Sequence, residues 1–365
     1  MTRMWYRWIP QHFYLLLKGR IKIIRLYTDR IGHLASNTEL FIREKYNPDY
    51  YYIVLVDDYI SNQTLLNMFA RKFCDKVIYN RYYRNLIQRL FPNKVIHHYK
   101  FEPNNYKAFQ GEPLLNFTVG ETWKGQKYLK KMGVDSWFVC FHNRDNTYLN
   151  QRKSDHKDFS YHNYRDSSIK NQIEAMNYIT DMGGYAIRMG HMVKEPLQTD
   201  NPRIIDYASQ FRNDFMDIFL PAHAKFFVGS ASGLINVAYL FNTPIAEVNV
   251  TPLEYIDLPK GGLFIPKLVQ SDNGLLSFEE ILSDGVSGFL RTEHFTSWGL
   301  ENVENSSDEI LQVTKQMNLM IDGNWKDRNI RLQKKYWDLI KSWHRCYGSS
   351  ACIGSSFIKK YEDLL

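Results

Sequence analysis

From Phe226 to Ala246 the chain runs 21 residues without a charge, close to the ~20 residues that cross a bilayer as a helix. Its interior contradicts a membrane span. Gly229-Ser230-Ala231-Ser232-Gly233 breaks it early, Asn236 sits in the middle, and Asn242-Thr243-Pro244 interrupts it near the end. A strand, a glycine-serine turn, a short helix and a second strand accommodate the same residues. The expectation is a soluble α/β protein.

The same rhythm recurs elsewhere. Ile21 to Tyr27, Tyr52 to Val56 and Lys76 to Tyr79 read as strands. Between them, Ser36 or Asn37 is a candidate cap for a helix carrying Leu40 and Phe41. A second helical pattern from about Ser61 puts Leu65, Leu66, Phe69 and Ala70 on one face. The alternation restarts at Trp137 to Phe141. Asp166 is a candidate cap for Ile169, Ile173, Met176 and Ile179, and Gly183-Gly184 a natural stop. Tyr185 to Gly190 is a strand and its exit, Asp214 to Leu220 a short helix, Lys225 to Val228 a strand, Gly233 to Phe241 a helix and Ile245 to Val248 a strand. Ser306 and Glu309 form a capping box, and a last helix is expected over Trp325 to Trp343.

Two such series predict two Rossmann-like domains facing a cleft, with closing helices at the C-terminus. The boundaries expected are 1–130 for an N-terminal domain, 131–345 for a C-terminal domain and 346–365 for a tail packing back on both. A length of 365 residues with 44% apolar and 15% aromatic content supports two cores and excludes a disordered or disulfide-stapled chain. The four cysteines form no paired metal motif, and their number fits a cytosolic protein. The first apolar run, Phe13 to Leu17, is short for a secretory leader.

Charge is unevenly placed. Residues 1–28 hold six Lys/Arg and no acid, and residues 71–100 hold eight against Asp75 alone; with a net charge of +7, the remainder is mildly acidic. Trp5, Tyr6, Trp8, Phe13 and Tyr14 interleave with the first group, a composition suited to the headgroup region of an anionic membrane or to a helix packed on a domain. No nucleic-acid motif accompanies the cations, so no nucleic-acid partner is expected.

Chemistry should lie at strand exits. The turn Gly229, Ser230, Ser232, Gly233 lets backbone approach a ligand, and the helix after it, carrying Asn236, offers free N–H groups to an anion. Arg144 follows one strand and Arg188 ends another; Arg165 with Asp166 and Arg212 with Asp214 stand near helix starts as secondary candidates. Guanidinium forks suit phosphate. His142 and His33 occupy exits in opposite halves, either as general bases or as structural histidines. Asp29, Glu39, Asp57 and Asp58 lie near the first series' ligand edge, where one could deprotonate a hydroxyl; Glu39 reads equally as a first-turn helix acid. Asp57-Asp58 is the only adjacent acid pair of note, and no bound metal is expected.

The blocks RIGHLASNTELFIRE (30–44), VCFHNRDNTYL (139–149), YHNYRDSSIKN (161–171), YAIRMG (185–190), DFMDIFLPAHAKFFVGSASGLINVAYLFNTP (214–244) and IGSSFIKKYEDLL (353–365) resemble a bacterial family of glycosyltransferases associated with surface-polysaccharide synthesis. The glycine-serine turn is similar to the donor loop of heptosyltransferases. His142-Asn143-Arg144 looks like the HxR element of GT-B fucosyltransferases, although Asp145 follows at once and Thr147 stands where those enzymes carry an acid.

The resemblance implies a metal-independent GT-B transferase without cofactor, its nucleotide sugar being a substrate. The donor would meet His142, Arg144, Asp145, Arg188, Gly229, Ser230, Ser232, Gly233 and Asn236. His33, Glu39 or Asp29 would serve a glycan or lipid-linked acceptor of O-antigen or capsule type, in the cytoplasm at the inner membrane. A nucleotide-sugar epimerase and a non-catalytic binding subunit are the alternatives. Either Arg144→Ala or Arg188→Ala is expected to abolish transfer in a protein that still folds.

Overall fold

The short apolar runs become parallel strands. In a computed structural model describing residues 19–97, 111–145, 147, 159–256, 258, 261–326 and 329–365, the chain divides into two units: residues 1–102 with 113–116, and residues 103–112 with 117–365. The aromatic-basic segment through Tyr14 lies outside the described residues.

In the first unit, β1 (Ile21–Arg25), β2 (Tyr51–Leu55), β3 (Lys76–Ile78) and β4 (Val95–His97) form a parallel sheet in the order β3-β2-β1-β4. β1 is central because Ile21, Ile23 and Ile24 are all buried, which demands cover on both faces. The connections are helical: α1 (Ile31–Lys45), α2 (Gln63–Phe73) and α3 (Arg81–Leu90). Asn62 caps α2, its Oδ1 accepting from the Leu65 N–H at 2.9 Å, and Asn80 caps α3 through the N–H groups of Tyr82 and Tyr83. Neither Ser36 nor Asn37 caps α1; that helix starts five residues earlier, at Ile31 after Arg30. Glu39 is therefore in mid-helix rather than in a first turn, where the dipole would favour it.

In the second unit, α4 (Val119–Lys131) precedes a seven-stranded parallel sheet in the order β14-β10-β9-β8-β5-β6-β7. Its strands are β5 (Phe138–His142), β6 (Tyr185–Arg188), β7 (Ile204–Ile205), β8 (Phe227–Gly229), β9 (Ile245–Val250), β10 (Leu263–Pro266) and β14 (Cys352–Ile353). Every residue of β6, β8, β9 and β10 is buried. The helices are α5 (Ile173–Asp181), α6 (Met216–His223), α7 (Gly233–Leu240), α8 (Ser307–Ile321), α9 (Ile330–Leu339) and α10 (Ser355–Lys360). α8 lies against α5, α10, β9 and β10, while α6 lies against α4 and α7. Gly125 on α4 permits that last contact, since a Cβ there would fall 2.1 Å from the Phe219 ring.

The capping box at Ser306 and Glu309 forms in full. Asp166 does not cap the helix after it; Ser168 caps a 3-10 turn at Ile169–Gln172, and α5 continues from there. The expected helix over Trp325 to Trp343 shrinks to Ile330–Leu339. A small antiparallel sheet, β11 (Leu268–Ser271), β12 (Gly274–Leu275) and β13 (Glu301–Val303), was not foreseen, because two- to four-residue strands have too little periodicity to read.

Candidate functional site

The exits of β5 and β8 are stitched together. β5 and β8 are neighbours with His142 opposite Gly229. A Cβ on Gly229 would fall 2.7 Å from the Phe227 ring and 2.9 Å from the His142 carbonyl oxygen, so the glycine serves the close approach of two chains. The Ser230 N–H then donates to the His142 carbonyl at 3.2 Å, and the buried Ser230 Oγ accepts the Arg144 N–H at 2.8 Å. Two loops distant in sequence become one corner. Ser232 and Gly233 follow directly, with Ser232 at the N-cap position of α7 in extended conformation but making no capping bond.

Arg144 is nine-tenths buried, its side chain only 9% exposed. Nη1 donates to the His162 carbonyl at 3.0 Å and is ion-paired with Asp166. Among the described residues Nη2 has no partner, and neither has the buried Ser232 Oγ. Burial, then the neighbouring Arg165, lowers the guanidinium pKa to about 10, and burial raises the Asp166 carboxyl to about 6 against the pull of Arg144. Both stay charged at neutral pH. Unsatisfied donors on a buried cation are costly unless something occupies them.

The surrounding residues hold this corner in place. The Asn143 Nδ2 donates to the Ser167 carbonyl at 2.7 Å, and Asp145 accepts the N–H groups of Thr147 and Lys194 at 2.9 and 3.2 Å. His142 turns Nδ1 towards the Met189 carbonyl at 3.2 Å; a carbonyl only accepts, so Nδ1 carries the proton and Nε2 is left as an acceptor. Burial pushes its pKa down to about 4, so the ring is neutral. Asn236 is half-buried in the first turns of α7.

The other arginines have different employment. Arg188 is 1% exposed, with Nη1 donating to the Glu195 carbonyl at 2.8 Å and paired with the buried Asp206 at 3.3 Å. Expected as a second anion fork, it is a core ion pair, because it is the last residue of a strand covered on both sides. Arg212 bonds Asp214 at 2.7 Å and Asp217 at 2.7 Å, fastening the start of α6, which begins at Met216 rather than Asp214. Arg165 rests over the Tyr164 ring at 5.7 Å.

In the first unit, Glu39 is fully buried on α1 and bonded to Arg43 at 2.7 Å. Burial raises its carboxyl to about 7. A base must reach its substrate, and Glu39 is fully buried and bonded to Arg43 of its own helix. Asp29 and His33 both keep solvent access near the exit of β1; the His33 ring stands edge-on to Tyr27, and desolvation followed by Arg30 lowers its pKa. Asp57 pairs with Arg25 at 2.8 Å and Asp58 with Arg84 at 3.0 Å, so the adjacent acids are structural counter-ions on two different partners.

Sequence reasoning missed Lys267. Its buried Nζ donates to the Tyr164 carbonyl at 3.2 Å and the Asp166 carbonyl at 2.5 Å, clamping the loop that carries the partner of Arg144. The available signal was a lone lysine inside the apolar run Leu263 to Val269. It missed Asn249 and Asn305 as well. The Asn249 N–H donates to the Asn305 side chain at 2.5 Å, the Asn305 N–H returns the bond at 2.8 Å, and the exit of β9 is thereby tied to the start of α8.

No family model matches the sequence, and no curated protein matches it. Solved structures do. A glycosyl transferase family 9 protein from Veillonella parvula aligns with a TM-score of 0.52 at 10% identity, over 82% of this chain and 98% of that one. The ADP-heptose lps heptosyltransferase II of E. coli aligns with a TM-score of 0.45 at 14% identity, over 67% of this chain and 90% of that one. The α/β fold expected from the sequence is thus the fold of the family 9 structure.

Proposed function

We propose that this protein is a glycosyltransferase that uses a nucleotide-sugar donor, with the donor diphosphate held at the corner between β5 and β8. The observation that carries the reading is a pair of unsatisfied groups: Arg144 Nη2 and Ser232 Oγ are both buried without partners among the described residues, on loops joined by the Arg144–Ser230 bond. A diphosphate supplies acceptor oxygens for both, and the opening N–H groups of α7 add a further anion-stabilising end. The family 9 likeness lends the fold, not the chemistry.

Transfer breaks the bond between the sugar C1 and the diphosphate oxygen and forms one from C1 to an acceptor hydroxyl, whose proton leaves to a base. Negative charge accumulates on the leaving diphosphate, where Arg144 and the α7 N-terminus neutralise it without a metal. Lys267 and Asp166 act by positioning: one fixes the loop, the other fixes Nη1 so that Nη2 is free. The acceptor, a glycan or lipid-linked sugar of surface-polysaccharide type, is assigned to the first unit. His33, neutral at pH 7, is the favoured base with Asp29 beside it. The setting is the cytoplasmic face of the inner membrane.

A thermal-shift panel of UDP-, GDP-, CMP-, ADP- and dTDP-linked sugars tests donor binding, since a ligand selective for the folded state raises Tm. One donor should shift wild type and fail to shift Arg144→Ala. If no donor shifts Tm, or if Arg144→Ala binds and turns over as wild type, the assignment is wrong.

A further inference from the structure

The first unit carries a helix with two incompatible faces. The inner face of α3 is packed against the sheet: the buried Arg84 donates to the Val56 carbonyl at 2.8 Å and pairs with Asp58, while Ile87 and the following Phe91 pack on Ile21, Ile23 and Leu55. The outer face is not. Tyr82 is 85% exposed, Leu90 61%, Tyr83 59% and Leu86 50%. Tyr82, Leu86 and Arg89 follow the spacing of one helical stripe, with Arg81 and Leu90 at its margins. Tyr82, Leu86 and Arg89 also line a shallow depression of about 660 Å3 with Asn85 and Gln88.

We propose that this outer face of α3 docks the protein on an anionic phospholipid bilayer. The proposal deepens the membrane setting of the function above by naming the surface that makes contact. A ten-residue helix, about 15 Å long, offers tyrosines for the headgroup layer, leucines for the acyl boundary and arginines for lipid phosphates. Charge selects this occupant. The helix has three arginines and no acid, and residues 71–100 hold eight Lys/Arg against Asp75. Asp75 itself is engaged, accepting the Tyr52 N–H at 2.9 Å. A second copy of the chain fits poorly, because a two-fold contact sets this cationic face against its own image. A nucleic acid would leave Leu86 and Leu90 without a complement.

Flotation of the full chain with vesicles, with no donor present, tests the proposal. The protein should float with phosphatidylcholine vesicles containing phosphatidylglycerol, stay behind with pure phosphatidylcholine, and be released by high salt. Leu86→Glu with Leu90→Glu should cut partitioning at least about tenfold, and Arg81→Gln with Arg89→Gln by about tenfold or more. All four positions are exposed, so melting temperature should stay as in wild type. Absence of flotation, flotation unaffected by these substitutions, or equal flotation with neutral vesicles overturns the proposal. So does a dimer, or retention on polyuridylate, that the same substitutions abolish while flotation is absent. Vesicle binding needs no turnover, so its failure leaves the transferase reading standing, and failure of donor binding leaves the docking face standing.

Discussion

Arg144 and Arg188 lie at the ends of adjacent parallel strands, and each pairs Nη1 with an aspartate, yet they differ in which nitrogen is left over. Arg188 is the final residue of β6; its Nη1 is taken by Asp206 and the Glu195 carbonyl, and among the described residues only its inner Nε is buried without a partner. Arg144 lies two residues past the end of β5, on the loop, and its terminal Nη2 is the nitrogen buried without a partner among the described residues. Two residues of chain separate an arginine whose buried unpartnered nitrogen is the inner Nε from one in which it is the terminal Nη2. Strand-end position alone does not make an anion site; the nitrogen left over must also be a terminal one of the guanidinium fork, as in Arg144, rather than the inner Nε, as in Arg188.

The sharpest way to break this contrast is to remove each arginine in turn. Arg144→Ala should lower kcat/KM by about 10²- to 10³-fold. Arg188→Ala should instead act on stability, because it strands Asp206 without its cation; a loss of about 3–5 kcal/mol is expected in urea unfolding. That replaces the sequence-based expectation that Arg188→Ala leaves a folded, inactive protein. Equal stability losses in the two variants would erase the distinction.

Gly229→Ala tests the stitching from the backbone side. Its Cβ would meet Phe227 and the His142 carbonyl, so about 1–3 kcal/mol of stability should go, with donor affinity falling as the Arg144 loop shifts. A smaller effect sharpens the comparison within the first unit. Glu39, buried like Arg188, has its carboxyl raised from 4.5 to about 7. Between those values the folded protein holds a proton that the unfolded chain has released, so the Glu39 contribution to stability falls as pH rises through that window. Wild type should lose about 1–3 kcal/mol more than Glu39→Gln between pH 5 and pH 8 in paired denaturant titrations. Parallel titrations would remove Glu39 as the source. Smallest in the stability measurement is Ser232→Ala. Its Oγ has no partner among the described residues, so unfolding should change by less than about 0.5 kcal/mol while the donor-induced Tm shift shrinks.

Much of the scaffold was legible locally. The uncharged stretch from Phe226, the glycine pair at 183–184 and the capping box at Ser306 each act within a few residues, and each appears in the folded chain close to where local rules put it. The site was legible in part. Ser230, Ser232 and Gly233 announce themselves as a small-residue turn before a helix. Lys267 does not, since its role is to reach loop carbonyls a hundred residues away. Glu39 misleads for a related reason: at sequence level a carboxylate near a strand exit looks available, and only packing reveals that it faces inward.

Local periodicity and turn chemistry were enough to determine an α/β chain with a small-residue turn after Val228, because strand and helix formation depend on neighbours within a turn or two. Tertiary structure alone decided how the nitrogens of each cation are used, Arg188 Nη1 going to Asp206 and Arg144 Nη1 to Asp166 while Arg144 Nη2 is left over. That choice depends on partners such as Asp206 and Asp166, brought together by strand order and by the depth at which each side chain is buried.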